Sequence, residues 1–335
     1  MNVGFVYDAR ADYLALGFSE EAVAEFDSAE TLAAIDSTLT ANGHAVERIG
    51  HGRALAERLA RGDRWDLVFT IAEGIKGRAR EAQVPALCEL FDQPYAFSDA
   101  ATMVVTLDKA LAKRLVRDGG VPTAPFAVLA TAAEAECVDL PYPLFVKPIA
   151  EGTGKGCEAA SKVASPAELA TAAARLIARF AQPVIAEPYL SGREFTVGIV
   201  GNDAGARVLG VLEVTLLDGA EPGVYSLLNK EECEGRVAYG LADDAEARAA
   251  AALALQAYRL LDCRDAARLD FRSDRAGEPL FLEANPLPGL HPTHSDLPIL
   301  ADKAGIPYAR LMAEIVDAAA ARYGLGASRR AIGVG

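Results

Sequence analysis

Two short apolar segments near residue 280 carry acidic side chains, and this pattern constrains the chain more than any other in the sequence. The first segment alternates, so that Arg268 and Asp270 share one face of a strand. Turn-forming residues follow, and the second segment places Glu283 and Asn285 together on one face. In an antiparallel hairpin, two carboxylates and an amide oxygen can therefore converge into a site that suits Mg²⁺. A hairpin whose acids face water is the alternative, and it is the weaker one because charge is rarely placed in an apolar run without a partner.

Length and charge limit the protein class. The chain has 335 residues, more than a single hydrophobic core usually serves, so two or three domains are expected. Its 33 basic and 47 acidic residues give a formal charge of −14, which argues against nucleic acid or an anionic membrane as a partner. No apolar run approaches the ~20 residues that span a bilayer, and no signal peptide is recognisable. Five widely spaced cysteines without a CxxC pair predict a reducing cytoplasm.

The order of strands and helices predicts an α/β fold with α+β parts. Alternating strand and helix patterns in the first 71 residues predict a parallel sheet covered by helices. Asp27 and Glu30 are spaced as a capping box for a helix that starts near Ala29. Pattern changes near residues 106 and 188 predict three domains. These are an N-terminal α/β substrate domain at 1–105, a central domain at 106–187 and a C-terminal catalytic domain at 188–330.

A glycine-rich loop follows a strand that ends in Lys147. The loop contains Gly152, Thr153 and Gly154, and Lys155 adds a second positive charge. Glycines let backbone N–H groups approach phosphate oxygens closely, and the threonine adds a hydroxyl donor. The loop therefore suits phosphate binding, although a plain hairpin turn would have the same composition.

A second strand runs into a hinge at residues 184–190. Such a hinge offers backbone groups to an adenine edge, with Glu187 accepting from the exocyclic amine and Glu194 from ribose hydroxyls. A plain interdomain linker is the alternative, and this segment alone does not separate the two.

Together these segments resemble the ATP-grasp superfamily and, within it, the D-alanine–D-alanine ligase family. The resemblance extends from about residue 91 to residue 323. It rests on five segments in the family's order: LDKALAK (107–113), YPLFVKPIAEGTGKG (142–156), AEPYLSGREFTVGIVG (186–201), ARLDF (267–271) and LEANPLPG (282–289). It implies a three-domain ATP-grasp architecture and an ATP-dependent carboxylate–amine ligase that joins amino acids or related small substrates through an acyl phosphate.

The resemblance also implies roles for individual residues. Lys230 would reach the γ-phosphate, Arg268 would stabilise the oxyanion of the tetrahedral intermediate, and Thr153 would close over the reacting groups. Implied contacts with ATP come from Lys109, Lys147, Gly152, Thr153, Gly154, Glu187, Tyr189, Leu190 and Glu194. Implied ligands of two Mg²⁺ (or Mn²⁺) ions are Asp270, Glu283 and Asn285. Gly289 and Ser295 lie in the segment that would take the carboxylate of the amine substrate.

The implied chemistry needs a closed site. A carboxylate is a poor electrophile, and transfer of the γ-phosphoryl group converts it to an acyl phosphate with a good leaving group. The acyl phosphate hydrolyses readily, so a lid must exclude water. Residues 218–239, rich in glycine and charge, are the candidate lid.

The first third of the chain departs from the family pattern. Glu73 and Arg78 stand where the family has a histidine and a glutamate, and Glu231 stands where it has the lid tyrosine. Arg78 and Arg80 suggest a substrate with an extra carboxylate or phosphate, and salt bridges to neighbouring acids explain them equally well.

Three alternatives to the ligase with small amino-acid substrates stay open. The first is ligation of a larger or acidic carboxylate in a specialised pathway. The second is a phosphotransferase that stops at the phosphorylated substrate, and the third is a nucleotide-binding module without turnover. The expected partners are small amino-acid or carboxylate substrates, with a homodimer as a possible assembly.

Overall fold

Three β-sheets, each formed by a different part of the chain, organise the protein in its computed structural model. The structure describes residues 1–221 and 223–325, with only the backbone at residue 231. Within these ranges, no helix is long and apolar enough to span a membrane.

The first sheet is parallel, as the sequence predicts, with the order β2-β1-β3. All four residues of its third strand are buried, which is typical of a parallel sheet covered on both faces. The strands are β1 (Asn2–Val6), β2 (Ala45–Gly50) and β3 (Leu67–Thr70). The helices of this part are α1 (Arg10–Ala15), α2 (Ala29–Ala41), α3 (Gly52–Ala60) and α4 (Gln83–Leu90).

Helix α2 starts at a different cap from the predicted one. The Ser28 hydroxyl accepts from the backbone N–H of Thr31 at 3.1 Å, so the capping box of Asp27 and Glu30 is wrong. A serine one residue later satisfies the same N–H group, because serine and aspartate are equally good N-caps. The Asp27 side chain is therefore not used by the helix.

The second sheet is antiparallel, with the order β4-β7-β5-β6, and one amphipathic helix covers it. That helix starts with Ser165 as its cap and Pro166 in its first turn, and it buries Leu169, Ala173 and Leu176. Two helices precede the sheet, α5 (Ala100–Leu107) and α6 (Lys109–Asp118). The sheet and its helix are β4 (Ala127–Leu129), β5 (Leu144–Pro148), β6 (Lys162–Val163), α7 (Pro166–Phe180) and β7 (Val184–Pro188).

The third sheet is antiparallel and carries the acidic hairpin, with the order β10-β9-β8-β11-β12. Its strands are β8 (Glu194–Val200), β9 (Arg207–Leu216), β10 (Val237–Leu241), β11 (Ala266–Ser273) and β12 (Pro279–Asn285). The helices of this part are α8 (Leu227–Glu231), α9 (Ala245–Leu260), α10 (Asp296–Lys303) and α11 (Tyr308–Arg322). Short 3₁₀ helices lie at Ala132–Cys137, Ala159–Ser161 and Asp203–Gly205.

Packing contacts run across the predicted domain boundaries. Ala112 and Val116 of α6 belong to the core that α9 forms with the third sheet, and α11 packs against α2 of the N-terminal part. The first and third sheets therefore share apolar contacts, while the second sheet has a core of its own with α7. The boundaries at 106 and 188 stay a prediction.

Candidate active site

The acidic hairpin has the register that the alternation predicts. Asp270 on β11 pairs with Glu283 on β12, and Arg268 pairs with Asn285. Asp270 Oδ2 accepts from Asn285 Nδ2 at 3.3 Å, and its Oδ1 accepts from the hydroxyl of Thr196 at 2.8 Å. The hairpin therefore brings the two carboxylates and the amide group together, with the amide nitrogen of Asn285 rather than its oxygen toward Asp270. Thr196 was absent from the sequence prediction.

The two carboxylates of the hairpin differ electrostatically. Burial would raise the pKa of Glu283, but Lys109 and Lys147 hold it well below its usual range. The Lys109 Nζ lies 3.4 Å from Glu283 Oε2. Burial raises the pKa of Asp270. The charge of Arg268 partly opposes this increase, and the charge of neighbouring Glu283 adds to it. A cation bound between the two acids would relieve this repulsion.

The chemistry of the donor set fits Mg²⁺. Two carboxylates and an amide side chain supply hard oxygen atoms, and Mg²⁺ commonly uses one or two carboxylates together with substrate phosphates. In the described ranges, no group of three or more His, Cys, Asp or Glu residues is arranged to hold a metal ion. The hairpin is therefore suited to an ion that phosphate oxygens help to bind.

A buried triad of charges lies behind the hairpin. Glu187 on β7 pairs with Lys147 at 3.2 Å and with Lys113 at 2.8 Å, and Lys113 also donates to the carbonyl of Phe281. Burial would raise the pKa of Glu187, but the two lysines lower it. Sequence reasoning missed Lys113, although Lys109 and Lys113 lie four residues apart and so share one face of α6.

A small cavity lies between the second and third sheets. Arg272 pairs with Glu194 at 3.3 Å and donates to the Tyr189 hydroxyl at 3.2 Å. Lys162 Nζ lies 4.0 Å from the centroid of the Tyr189 ring. The structure brings most of the predicted ATP contacts to this cavity: Lys109, Lys147, Gly154, Glu187, Tyr189, Leu190, Glu194 and Lys230.

The candidate lid covers this small cavity. Residues 217–221 and 223–236 lie between β9 and β10 and include α8, whereas residues 237–239 of the predicted lid belong to strand β10. The carbonyl of Gly223 accepts from the Tyr189 hydroxyl at 2.9 Å. The cavity has a volume of about 100 Å³, below the roughly 300–1,000 Å³ of ordinary ligand pockets. Val224, Tyr225 and Lys230 of the lid segment line the cavity, so an outward movement of this segment would enlarge it.

The glycine-rich loop contacts the lid and the N-terminal part at once. Thr153 and Gly154 have positive φ angles of 54° and 79°, and a Cβ on Gly154 would lie 2.9 Å from the Leu227 nitrogen. Gly152 N–H donates to Glu25 at 2.6 Å. Lys155 pairs with Glu25 and Glu151, and it is not among the residues that line the small cavity. In this arrangement the charge of Lys155 is used by the two glutamates. Its contribution to phosphate binding stays a prediction.

A larger cavity of about 580 Å³ opens on the other side of Glu283. Both predicted residues of the amine segment line it, and the Ser295 hydroxyl lies so close to Gly289 that a Cβ there would meet it at 2.7 Å. Its other lining residues include Asp27, Glu30, Glu73, Glu81, Gly152, Thr153, Lys230, Arg268, Asn285, His291 and His294.

Arg268 lies at the junction of hairpin and larger cavity. Its Nη1 donates to Asp296 at 2.6 Å, and its Nη2 lies 3.0 Å from Asp270. Burial would lower the pKa of Arg268, but Asp270, Asp296 and Glu283 raise it, so the group stays charged. Sequence reasoning missed Asp296. Its signal was an acid in the first turn of an apolar helix.

The structure does not bring Arg78 to the other candidate residues. Its side chain is 73% exposed and pairs with Asp108 at 2.7 Å, so a substrate role for Arg78 stays a prediction. Arg80 is buried instead and pairs with Glu25 at 3.0 Å. The side chain of residue 231 is not described. The prediction that Glu231 replaces the family's lid tyrosine therefore lies outside the described atoms.

Comparison with known proteins assigns the chain to a family. The model of the D-ala D-ala ligase C-terminus matches residues 115–317, more than half of the chain and all of the hairpin. The chain belongs to the D-alanine–D-alanine ligase family. The predictions of an ATP-grasp fold and of an ATP-dependent, amide-bond-forming ligase are confirmed.

Two relatives each match most of the chain. The chain is 34% identical over 263 residues to an uncharacterized protein of Sinorhizobium fredii, covering 77% of this chain and 75% of that one. It is 35% identical over 274 residues to the D-alanine–D-alanine ligase of Bordetella petrii, covering 81% and 80%.

Solved structures support the same fold. The D-alanine–D-alanine ligase of Bacillus anthracis superposes with a TM-score of 0.73 at 22% identity, covering 97% of this chain and 99% of that one. The VanG D-Ala:D-Ser ligase of Enterococcus faecalis superposes with a TM-score of 0.72 at 20% identity, covering 95% and 100%.

Proposed function

We propose that the protein converts a small carboxylate into an acyl phosphate with ATP and then joins it to an amine at the junction of the two cavities. The observation that carries the proposal is the wall that the cavities share. Lys109, Tyr225, Lys230 and Glu283 line both the small cavity and the larger one. A γ-phosphate at the end of the first cavity would therefore meet a carboxylate at the end of the second.

The small cavity is the proposed nucleotide site. The backbone of Tyr189 and Leu190 would bind the adenine edge, and Glu194 would accept from ribose hydroxyls. Glu187 is paired with two lysines, so we assign it to holding Lys147 in place as well as to the adenine amine. Lys109, Lys147 and Lys230 would neutralise the phosphates, with the Gly152–Gly154 backbone and the Thr153 hydroxyl closing over them.

Asp270, Glu283 and Asn285 would hold Mg²⁺, with Mn²⁺ as a substitute. When bound, the metal would neutralise charge on the phosphate oxygens. The described carboxylates suit this use because Glu283 stays ionised beside the lysines.

The two chemical steps follow from the placement of these groups. An oxygen of the carboxylate substrate attacks the γ-phosphorus of ATP, and ADP leaves. The amine nitrogen then attacks the acyl carbon, loses a proton, and inorganic phosphate leaves. Arg268 would stabilise the oxyanion formed between these events, because its guanidinium is fixed and charged before the reaction starts. The lid segment would keep water from the acyl phosphate.

The larger cavity is the proposed site of both organic substrates. Gly289 and Ser295 line its amine end, while Glu73 and Glu81 line the N-terminal side. The relatives named as ligases of D-alanine suggest small amino acids as first candidates, and the acids at the N-terminal side suit an ammonium group.

A phosphate-release screen tests the proposal. The purified protein is incubated with ATP and Mg²⁺ against a matrix of small carboxylates and amines, with Glu283→Gln as the blank. Phosphate and a condensed product that both depend on carboxylate and amine support the ligase. ADP release that needs the first substrate but no amine supports the phosphotransferase instead. Absence of ADP in every combination, with ATP still bound, supports the module without turnover.

A further inference from the structure

A separate cavity lies in the N-terminal part of the protein, between α1, α3 and α4. We call it the outer cavity, and Tyr13, Ala56 and Leu87 line it, one from each helix. Its volume is about 490 Å³, within the roughly 300–1,000 Å³ of ordinary ligand pockets. It shares no lining residue with the small cavity or with the larger one. The proposed reaction therefore leaves this space unused.

Apolar side chains form much of the wall of the outer cavity. Leu16 and Ile75 line it and are 74% and 37% exposed. Phe18 packs edge-on against Tyr13, with ring centroids 5.7 Å apart, and both rings border the cavity. An apolar molecule bound here would cover large side chains that the fold leaves in water, which favours binding.

The outer cavity is also positively charged, in a chain whose formal charge is −14. Arg53 and Lys76 line it, and neither side chain forms an ion pair or a hydrogen bond within the part of the chain that the structure describes. Asp8 is the one acid of the described lining and is only 3% exposed. Its two oxygens accept from the Tyr13 hydroxyl at 2.6 Å and from the Gly74 N–H at 2.9 Å. Asp8 is thus engaged elsewhere, and the two cations stay unpaired.

His51 adds a third donor to the outer cavity. Its Nδ1 accepts from the N–H of Ala54 at 3.2 Å, so in the neutral ring Nε2 carries the hydrogen and can donate. Hydrogen bonds between charged donors and an anionic group are about twice as strong as those between neutral groups. The lining therefore complements a molecule with an apolar body and one anionic group.

One loop, between β3 and α4, separates the outer cavity from the larger cavity. Its residues Glu73 and Glu81 line the larger cavity, whereas its Gly74 lines the outer one. Gly74 packs so closely on Arg80 that a Cβ would meet the Arg80 carbonyl oxygen at 2.5 Å. Arg80 lines the outer cavity and pairs at 3.0 Å with Glu25, a residue of the larger cavity. A ligand that fixes this loop from the outer cavity also acts on the acids of the larger one.

We propose that the outer cavity binds a small amphipathic anion from solution, an apolar acid that acts as an effector and not as a substrate. The apolar wall holds its body, and Arg53, Lys76 and His51 hold its anionic group. Its binding fixes the loop between β3 and α4 and couples the outer cavity to the N-terminal side of the larger cavity. The inference goes beyond the proposed ligase function, and binding can be measured without turnover.

Titration calorimetry with 2-naphthoate tests the site, in the presence of ADP and Mg²⁺ so that the small cavity is occupied. We expect 2-naphthoate to bind at least about tenfold more tightly than 2-naphthamide, which has the same rings without the charge. Arg53→Glu and Lys76→Glu should each weaken binding of 2-naphthoate at least about tenfold, and Ala56→Trp should abolish it by filling the cavity. Arg61→Glu, an exposed change on the same helix, is the control and should bind as the wild type does. Circular dichroism checks the fold of each variant.

Hydrogen exchange tests the coupling. Exchange of residues 71–82 should slow when 2-naphthoate is added to the wild type, and Arg53→Glu should lose this protection. Equal affinity for 2-naphthoate and 2-naphthamide, or an affinity that none of the cavity variants changes, overturns the inference. Binding that ADP abolishes belongs to the small cavity and overturns it as well, and binding without protection of the loop overturns the effector role. None of these measurements uses ligase turnover, so the inference and the proposed function fail separately.

Discussion

The nucleotide cavity and the larger cavity beside it differ in how their acids are neutralised. Glu187, Glu194 and Glu283 each have a lysine or arginine nitrogen at 2.8–3.4 Å. For Asp27 and Glu73 in the larger cavity, the charges of Arg10 and Arg80 only partly offset burial, which raises the pKa of both acids. Paired charges hold a pocket in shape without a ligand, whereas an unpaired buried acid is unfavourable until a cation binds. The first cavity therefore carries its own neutralising charges, and in the second the acids Asp27 and Glu73 are only partly neutralised.

The two cavities also differ in the elements that build them. Strands β5, β7, β8, β11 and β12 supply most of the charged residues of the nucleotide side, and helices α6 and α8 add Lys109 and Lys230. The larger cavity takes its acids from the segment before α2 and from the loop after β3.

Removing the charge of Glu283 should have the largest effect on the nucleotide side. We expect Glu283→Gln to lower kcat at least ~10³-fold, about 4 kcal/mol in activation free energy, because the amide keeps the shape but loses the charge that the metal needs. ADP release measures the effect, and circular dichroism checks the fold. Glu278→Gln, an exposed change in the turn of the same hairpin, is the control. Turnover near that of the wild type would show that the charge of Glu283 is not needed to bind the metal.

The buried triad should matter for stability. Glu187→Gln leaves Lys113 and Lys147 without their carboxylate, and we expect a loss of ~3–5 kcal/mol in the free energy of unfolding. Urea denaturation measures it, with the exposed change Glu136→Gln as the control. A loss below about 1 kcal/mol would show that the nucleotide side does not depend on charge pairing.

Arg268 should act on the reaction more than on binding. We expect Arg268→Met to lower kcat ~10²–10³-fold while the KM for ATP changes less than about threefold, because the oxyanion exists only after ATP has reacted. Steady-state kinetics separate the two parameters. A variant that mainly loses ATP affinity would show that Arg268 binds the phosphates of ATP and belongs to the nucleotide cavity.

Asp27 gives the larger cavity a smaller, pH-dependent signature. Its pKa is about 7 in the folded protein and 3.8 for an ordinary aspartate, so folding favours the protonated form. Stability should therefore fall as the pH rises from about 4 to 7, and the cost is complete above that range. We expect Asp27→Asn to stabilise the protein by ~1–2 kcal/mol more at pH 8 than at pH 4. Equal stabilisation at both pH values, measured by urea denaturation, would mean that Asp27 is already neutralised.

The sequence predicted the fold where the period of apolar residues was long. Helices α7 and α11 can be recognised from the sequence because each has an uninterrupted amphipathic stripe and clear end signals. Helices α4, α5 and α10 are harder to recognise from the sequence, because each has only eight residues and two of them contain proline.

The same contrast holds for the site. Asp270, Glu283 and Asn285 could be placed together because a hairpin brings near neighbours into register. Glu25 could not, because it reaches Gly152 across 127 residues and only packing of separate elements brings them together. Asp296 was missed for the same reason: an acid in the first turn of its helix is visible in the sequence, but its contact with Arg268 depends on how separate elements pack.

Transfer of oxygen from the carboxylate to phosphate tests the central claim most directly. A donor acid found in the phosphate-release screen is labelled with ¹⁸O in both carboxylate oxygens and turned over with ATP, Mg²⁺ and its amine partner. Because an acyl phosphate breaks at the carbonyl carbon when the amine attacks, the released phosphate should carry one ¹⁸O atom. Mass spectrometry of the phosphate detects the label. Phosphate without ¹⁸O, released in step with the condensed product, would contradict an acyl phosphate and with it the proposed mechanism.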